Sequence, residues 1–307
     1  MTFIPWNSQP LMRWASRYAR GKLISLGGHP THYLEEGEGD PVICLHGFFY
    51  DSYMWAHNLD ALAECGKVYA LDLWGAGYST RQPMDYSYEL YTTQLLMFMD
   101  ALRIRKASFI GQSMGGGIAM LFAAQHPDRV DKLVLAAPAG LPNRLPLTGR
   151  FFALPRIGEF LLGLPTDAVR WQLLKRFWFY DPRAVTPLHF DAATRFHKIE
   201  GTSDAALAVL RRRFFDTLDA EIARLASLPI PTLLIWGRQD RSIPLAVGQE
   251  LARRLPQARL EILDGAGHAV NIERAEIFNS LAQEFLSARL TIHIGARQPA
   301  APEAAHG

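Results

Sequence analysis

Cysteine is scarce in this sequence, which contains only Cys44 and Cys65 among its 307 residues. Two cysteines do not make a disulfide framework, so a small secreted domain held together by disulfides is excluded. Cys44 lies inside a strand-like run, and Cys65 ends a helix-like run over residues 51–65. We therefore interpret both as small residues packed in or beside the core.

An excess of charge of one sign is also lacking, since 32 Lys and Arg residues face 30 Asp and Glu residues and leave a formal net charge of +2. So small an excess gives no reason to expect a nucleic-acid partner. No run of about 18 apolar residues is present to form a transmembrane helix, and the N-terminus lacks the apolar core of a secretory signal. The sequence therefore predicts a cytoplasmic protein without an integral membrane segment.

Residues 1–21 form a predicted N-terminal arm. The short helix after Pro10 has an apolar face and a basic face, formed by Leu11, Trp14, Ala15 and Tyr18 and by Arg13, Arg17 and Arg20 respectively. We expect the apolar face to pack on the rest of the domain. A weak contact with a lipid surface is the alternative.

Strand-like and helix-like runs alternate over residues 22–140 and again over residues 227–288. The strand-like runs cover residues 22–26, 31–35, 42–45, 68–73, 107–110, 132–137, 232–237 and 259–263. Alternation at this spacing indicates βαβ units with right-handed crossovers, and hence a mainly parallel sheet flanked by helices. The fold class is therefore α/β, with one core domain built from both stretches.

The alternation stops over residues 141–226, where six prolines divide the chain into short helical pieces. Nine of the seventeen phenylalanines lie there. This is too many aromatic side chains for a solvated linker, so the segment must bury them against itself, the core or a ligand. We predict a helical cap, or lid, for residues 141–226 and a flexible tail for residues 289–307, which are rich in Ala and Pro.

The segment Gly111-Gln112-Ser113-Met114-Gly115 joins a strand-like run directly to a helix-forming run. A serine at such a junction lies on a tight, strained turn, with its hydroxyl beyond the edge of the sheet. Gly111 and Gly115 are expected to be glycines because a Cβ at either position would clash where strand and helix approach each other.

A serine hydroxyl becomes a nucleophile only when a base takes its proton, and a histidine base needs a third group that fixes its tautomer. Ligands of open α/β sheets bind beyond the carboxyl ends of the strands, which is where Ser113, Asp240 and His268 all fall. These residues supply a nucleophile, an orienting acid and a base. Asp264, four residues before His268, is the alternative acid.

Five motifs occur in order along the chain: His46-Gly47, Asp72-x-x-Gly75-x-Gly77-x-Ser79, Gly111-x-Ser113-x-Gly115, Trp236-Gly237-x-x-Asp240 and Gly267-His268. Through them the chain resembles the α/β-hydrolase-fold serine hydrolases over residues 22–288. The resemblance implies an eight-stranded, mostly parallel sheet with an inserted helical cap, and neither a cofactor nor a metal. It also implies an oxyanion hole made by the backbone N–H groups of Phe48 and Met114, with His46 in a supporting role.

The turn at Ser113 corresponds to the nucleophile elbow of this family. Serine at the elbow favours acyl transfer, whereas related dehalogenases and epoxide hydrolases carry aspartate there. The aromatic residues of the cap are expected to roof an apolar pocket. The residues predicted to bind the substrate are Phe49, Trp178, Phe179, Phe214 and Val270.

These features predict a carboxylesterase, lipase-like in its lid, that cleaves small-molecule esters with apolar groups through an acyl-enzyme. The first alternative is a C–C bond hydrolase of ring-fission products, a group that tends to carry asparagine before the serine and tryptophan just after the histidine. This chain has Gln112 and Ala269-Val270 at those positions, which favours the esterase. The second alternative is a non-catalytic small-molecule receptor, against which the complete triad argues. The sequence predicts no oligomeric state.

Overall fold

The computed structural model of the protein describes residues 3–143, 147–212 and 218–288. Within those residues, eight strands form one sheet in the order β1-β2-β4-β3-β5-β6-β7-β8. The strands are β1 (Lys22–Leu26), β2 (His29–Glu36), β3 (Pro41–Leu45), β4 (Lys67–Leu71), β5 (Ala107–Gln112), β6 (Val130–Ala136), β7 (Thr232–Gly237) and β8 (Ala258–Leu263). Strand β2 pairs antiparallel with β1 and β4, and the other neighbours are parallel. The predicted mostly parallel sheet is confirmed.

Helices cover both faces of this sheet. The helices of the described residues are α1 (Leu11–Tyr18), α2 (Leu59–Ala63), α3 (Tyr88–Ala101), α4 (Met114–Gln125), α5 (Leu147–Ala153), α6 (Ile157–Gly163), α7 (Ala168–Leu173), α8 (Pro187–Thr194), α9 (Thr202–Arg211), α10 (Asp219–Ala226), α11 (Leu245–Arg254), α12 (Val270–Glu273) and α13 (Ala275–Ser287). Side chains of α3, α4, α10 and α11 form one core with Ile43 and Phe109. Those of α2, α12 and α13 form a second core with Cys44 and Ile110. Neighbouring strand residues thus enter opposite cores, as the pleat of a strand requires.

The segment after β3 differs from the sequence-based expectation of one helix over residues 51–65. The chain forms a 3-10 turn at Ser52–Trp55 and only then α2. The Asp51 carboxylate accepts the backbone N–H of Tyr53 at 3.1 Å, which begins the short turn. Asn58, with φ of −123°, separates that turn from α2.

The region between β6 and β7 holds α5 to α10, together with a π-helical turn at Leu174–Trp178 that continues α7. Helix α10 packs on α4, and its Ile222 and Leu225 lie in the same core as the α4 side chains. This helix therefore belongs with the sheet, although the prediction placed residues up to 226 in the cap. The division into arm, core and cap otherwise stays a prediction, and the predicted tail lies outside the described residues.

Helix α1 packs on the segment that follows α8. Trp14 and Ala15 are buried in one cluster with Phe196 and Ile199, and the Trp14 indole N–H donates to the carbonyl oxygen of Arg195 at 3.0 Å. The chain itself covers the apolar face predicted for α1, so that face is not available to a lipid surface. Among the helices of the described residues, none combines the length and apolar character that a membrane crossing needs.

Candidate active site

Ser113 lies at the turn between β5 and α4, with φ of 52° and ψ of −116°. A positive φ at a residue other than glycine is strained by about 1–3 kcal/mol. The flanking glycines make the turn possible, because a Cβ on Gly111 would lie 2.6 Å from the carbonyl oxygen of Gly115. A Cβ on Gly115 would in turn overlap the carbonyl oxygen of Leu45. The predicted clash at both glycines is confirmed.

His268 and Asp240 meet beside Ser113. Nδ1 of His268 lies 2.8 Å from Oδ2 of Asp240, and both side chains are buried. The other carboxylate oxygen of Asp240 accepts the backbone N–H groups of Ser242 at 2.8 Å and Ile243 at 2.9 Å. Because a carboxylate accepts, Nδ1 of His268 carries the proton and Nε2 remains as the basic nitrogen. His268 and Ser113 line the same cavity.

Asp264, the alternative acid, lies elsewhere. Its carboxylate forms an ion pair with Arg238 and its side chain is 76% exposed. The structure therefore brings Asp240, and not Asp264, to the imidazole of His268.

The turn after β3 carries the predicted oxyanion donor Phe48, which lines the cavity with Ser113. Behind it, the buried His46 accepts the Leu73 N–H at Nε2 (3.0 Å), so its Nδ1 carries the proton and donates to the Gly47 carbonyl oxygen at 2.8 Å. Burial lowers the pKa of His46, which keeps the ring neutral. The carbonyl of Gly47 and the N–H of Phe48 belong to one peptide plane. His46 therefore orients the predicted donor.

Met114, the second predicted donor, is the first residue of α4, a helix of 12 residues. The N–H groups of a first helical turn have no acceptor inside the helix, and the helix dipole places partial positive charge there. This end of α4 suits the stabilisation of a negative oxygen next to Ser113. The oxyanion role of Phe48 and Met114 stays a prediction.

A cavity of about 200 Å³ opens at Ser113 and His268. Among the described residues, Asn143 and Ser242 also contribute polar atoms to its lining. The apolar lining residues within the described part of the chain are Phe48, Phe49, Ala139, Leu141, Phe152, Leu162, Leu173, Phe177, Trp178, Ala206, Leu207, Leu210 and Ile243. A site of this kind suits a small molecule with an apolar part and a few polar groups.

The predicted substrate-binding residues divide into three groups. Phe49 and Trp178 line the cavity. Phe179 and Val270 belong to the core beside α13 and are not among the described residues that line the cavity. Phe179 is almost fully buried, and its ring packs on that of His189 with centroids 5.3 Å apart, which places it in the core. Val270 begins α12 and is fully buried against the core. Phe214 lies outside the described residues.

Contacts that the sequence did not predict hold the loop of His268. The side-chain amide of Gln112 donates from Nε2 to the carbonyl oxygen of His268 at 2.9 Å. The centroid of the Trp178 ring lies 5.1 Å from that of the His268 imidazole. The backbone carbonyl oxygen of Trp178 accepts the N–H of Ala269 at 2.8 Å. From the sequence, Gln112 and Ala269 count only as departures from a motif. In the structure, Gln112 supports the histidine loop, and the aromatic contact comes from Trp178, in the region between β6 and β7.

Glu273 is a further residue that the sequence did not single out. Its carboxylate accepts the backbone N–H groups of Gly267 at 2.6 Å, Tyr180 at 2.9 Å and Asp181 at 3.0 Å. Burial raises the pKa of Glu273, although these hydrogen bonds oppose the rise. One carboxylate thus ties the histidine loop to the segment that follows Trp178. All three partners are backbone groups, so no residue pattern marks the contact.

Comparison with known proteins agrees with this geometry. Residues 40–275 match the model of the alpha/beta hydrolase fold family. The chain is 34% identical over 278 residues to a 2-hydroxymuconate semialdehyde hydrolase of Pseudomonas sp. (strain CF600), covering 87% of this chain and 94% of the relative. It is 31% identical over 286 residues to a 2-hydroxy-6-oxo-6-phenylhexa-2,4-dienoate hydrolase of Comamonas testosteroni, covering 89% of this chain and 97% of that relative.

A solved structure of a hydrolase is also similar to this chain. The meta-cleavage product hydrolase from Pseudomonas fluorescens IP01 aligns with a TM-score of 0.75 at 31% identity, covering 86% of this chain and 97% of that one.

These relatives are named for ring-fission products and not for carboxylic esters. The prediction of a lipase-like carboxylesterase is therefore wrong, and its first alternative is the better supported one. The match over most of the chain, the sheet order and the serine elbow lead to one conclusion: this chain belongs to the alpha/beta hydrolase fold family and is a hydrolase.

Proposed function

We propose that the protein hydrolyses a carbon–carbon bond in a 2-hydroxy-6-oxodienoate, the product of aromatic ring fission. The observation that carries this proposal is the identity of 34% and 31%, over nearly the whole chain, to hydrolases named for such compounds. The serine elbow beside a buried His–Asp pair supplies the groups that the reaction needs. The substrate is a small molecule, and the cavity at Ser113 is its proposed site.

In the proposed reaction, the enol at C2 first becomes a ketone as a proton moves to C5. Ser113 Oγ then attacks the carbonyl carbon at C6 while His268 Nε2 takes the hydroxyl proton. The C5–C6 bond breaks, and its electron pair is delocalised through the conjugated chain to the oxygen at C2. His268 returns the proton to that oxygen, which releases a 2-hydroxydienoate. Water then hydrolyses the acyl-enzyme to a carboxylic acid, so one water is consumed in each turnover.

In this proposal, backbone donors stabilise the C6 oxygen, and neighbouring side chains orient the base and one of these donors. The N–H groups of Phe48 and Met114 stabilise the negative oxygen of the tetrahedral intermediate, where the loss of one such donor typically costs about 2.7–4 kcal/mol. Asp240 keeps the proton on Nδ1 of His268 and stabilises the imidazolium. His46 holds the peptide that carries the Phe48 N–H.

The cavity lining favours an apolar substituent at C6. The cap contributes Phe152, Leu162, Leu173, Leu207 and Leu210 to the lining, whereas Asn143 and Ser242 add polar atoms near the triad. An alkyl or aryl group gains free energy in such surroundings, at about 25 cal/mol per Å² of apolar surface buried. We propose that the cap receives this substituent and that the dienoate lies toward the polar residues.

The test compares 2-hydroxy-6-oxodienoates bearing methyl, phenyl or carboxyethyl groups at C6 with aryl esters of increasing acyl length. We expect the methyl and phenyl dienoates to be cleaved with kcat/KM at least about 100-fold above that of any ester, and Ser113→Ala to abolish turnover. Loss of dienoate absorbance and chromatography of the acid product measure the reaction. Cleavage of esters alone would contradict the proposal. Preference for the carboxyethyl dienoate would contradict the apolar site.

A further inference from the structure

The oxyanion turn, residues 47–50, is held from two sides. On the core side, Nδ1 of His46 donates to the Gly47 carbonyl oxygen at 2.8 Å. On the cap side, Nε2 of His197 lies 3.2 Å from the carbonyl oxygen of Phe49, and the two rings are 4.2 Å apart. Phe49 has φ of 67°, a conformation that a residue other than glycine keeps only when its surroundings hold it. His197 is part of those surroundings.

The hydrogen bonds of His197 fix its tautomer. Nε of Arg170 lies 3.2 Å from Nδ1 of His197, and a guanidinium group has only donors. Nδ1 must therefore accept, so Nε2 carries the proton and donates to Phe49. His197 is only 1% exposed, and burial followed by the charge of Arg170 lowers its pKa well below the usual value. The ring is thus a neutral donor aimed at the oxyanion turn.

Arg170 is itself buried, with 1% exposure, and its hydrogen bonds go to neutral acceptors, His197 and the carbonyl oxygen of Leu162 at 3.0 Å. A buried cation is costly unless its surroundings compensate. The Trp6 ring compensates here, since the guanidinium carbon lies 4.0 Å from its centroid. Burial still lowers the pKa of Arg170 to about 9, which leaves it charged at neutral pH.

Backbone hydrogen bonds place the N-terminal segment, residues 3–9, against the same group. The N–H of Asn7 donates to the carbonyl oxygen of His197 at 3.0 Å, and the N–H of Ser8 donates to that of Lys198 at 2.8 Å. The Trp6 indole N–H donates to the carbonyl oxygen of Thr166 at 2.9 Å, just before α7. The segment therefore contacts both the histidine backbone and the helix that carries Arg170.

We propose that His197 is a positioning residue for the oxyanion turn and that residues 3–9, through Trp6 and Arg170, keep it in its donating tautomer. The inference rests on the proposed function, because it assigns Phe48 to the oxyanion hole. It gives the N-terminal segment a part in the reaction although none of its described residues lines the cavity. The effect falls on stabilisation of the oxyanion, which is absent from the bound substrate and forms in the transition state and the tetrahedral intermediate.

Two pairs of variants test the inference. His197→Phe keeps a ring but removes both hydrogen bonds, whereas His197→Gln can donate to Phe49 and accept from Arg170. Trp6→Leu removes the π face, whereas Trp6→Phe keeps it, and both lose the bond to Thr166. Met12→Ala, at a side chain that is 59% exposed on α1, is the matched control. Urea unfolding confirms that each variant is folded.

The readouts are the rate of Ser113 labelling by a fluorophosphonate, whose phosphoryl oxygen occupies the oxyanion hole, and kcat and KM on the phenyl dienoate. We expect His197→Phe to lower the labelling rate and kcat by about tenfold or more while KM changes less than about threefold. His197→Gln should recover most of the loss. The labelling rate and kcat should fall further in Trp6→Leu than in Trp6→Phe. Both quantities should be unchanged in Met12→Ala.

Three outcomes overturn the inference: His197→Phe labels at the wild-type rate, it raises KM alone, or His197→Gln recovers nothing. If His197→Phe does not fold, the comparison of Trp6→Leu with Trp6→Phe decides, and equal labelling rates reject the inference. Ser113→Ala separates this failure from that of the proposed function. Turnover by Ser113→Ala rejects the nucleophile, whereas inactive Ser113→Ala beside fully active His197→Phe rejects only the role of His197. Labelling without dienoate turnover rejects only the proposed substrate.

Discussion

The indole of Trp178 lies against the imidazole of His268, with ring centroids 5.1 Å apart and planes inclined by 56°. A second aromatic neighbour of the indole is Tyr50, whose ring lies 4.6 Å away and whose hydroxyl is 2.9 Å from Nε2 of His189. The region between β6 and β7 thus supplies the aromatic contact of the proposed catalytic base, at a residue distant from it in sequence. His268 is packed by a side chain of the very segment that shapes the substrate cavity.

Trp178→Ala should lower both stability and activity. Removal of a buried aromatic side chain costs about 3–5 kcal/mol, and here the space left would free the imidazole of His268. Trp178→Phe keeps an aromatic face against His268 and should retain most of the activity. Urea unfolding and kcat/KM measure the two effects. Trp171→Ala is the control, because that ring packs on Phe190, at 4.5 Å, and not on His268. An unchanged kcat in Trp178→Ala would contradict the role given to this contact.

Glu273→Gln should slow the reaction without altering the residues that touch the substrate. The carboxylate accepts three backbone N–H groups, and an amide, which has only one oxygen, cannot accept them all. Hydrogen bonds to a charged group contribute about 1.5–3 kcal/mol each. We expect the free energy of unfolding to fall by about that amount and kcat to fall about tenfold, measured by urea titration and steady-state kinetics. Glu276→Gln, an exposed residue on α13, is the matched control. Equal kinetics in both variants would show that the link between the loops does not position His268.

Asp240→Asn and Asp264→Asn should differ by orders of magnitude. The amide at position 240 no longer fixes the tautomer of His268, a loss on the order of 10⁴-fold in kcat in a serine triad. Asp264 is exposed, and its ion pair with Arg238 contributes about 0–1 kcal/mol to stability, so its variant should keep wild-type turnover. Single-turnover and steady-state kinetics on the same dienoate make the comparison. A larger loss of turnover in Asp264→Asn than in Asp240→Asn would show that Asp240 is not the orienting acid.

The sheet and the triad were predictable because each depends on a local pattern. Strand-like runs mark β1 to β8, the two glycines around Ser113 allow the close approach of strand and helix, and Asp240 and His268 lie in the loops after β7 and β8. The cap was not predictable in the same way. Its aromatic residues carry no period that tells which ring faces a ligand, so Phe179 was predicted to line the cavity although its ring packs on His189 in the core.

For a related reason, the sequence did not favour the reaction that is now proposed. Gln112 and Ala269 depart from the motif of the C–C hydrolases, and the motif alone therefore favoured an esterase. The aromatic contact with His268 is made in space by Trp178, and the support of the loop is made by Gln112 and Glu273. These contacts join segments that are distant in sequence, and they depend on how the region between β6 and β7 packs, which no local pattern encodes.

Acidification should destabilise the protein through His189. Burial, followed by the charge of His57, lowers the pKa of His189 to about 4, whereas the unfolded chain binds this proton near the ordinary value of about 6.5. Between those values the unfolded state holds more protons, so the free energy of unfolding falls as the pH falls. For this one group the loss is about 2 kcal/mol between about pH 7.5 and about pH 5.

His189→Gln tests this contribution, since glutamine does not titrate and can still accept from the Tyr50 hydroxyl. Urea unfolding of the wild type and of His189→Gln at both pH values gives the difference directly. The other histidines are common to both proteins, including His32, whose raised pKa acts in the opposite direction, and therefore cancel in the comparison. We expect the variant to lose about 2 kcal/mol less than the wild type on acidification. An equal loss would show that His189 takes up its proton in the folded state, and the buried pair with Tyr50 would then have to open as the pH falls.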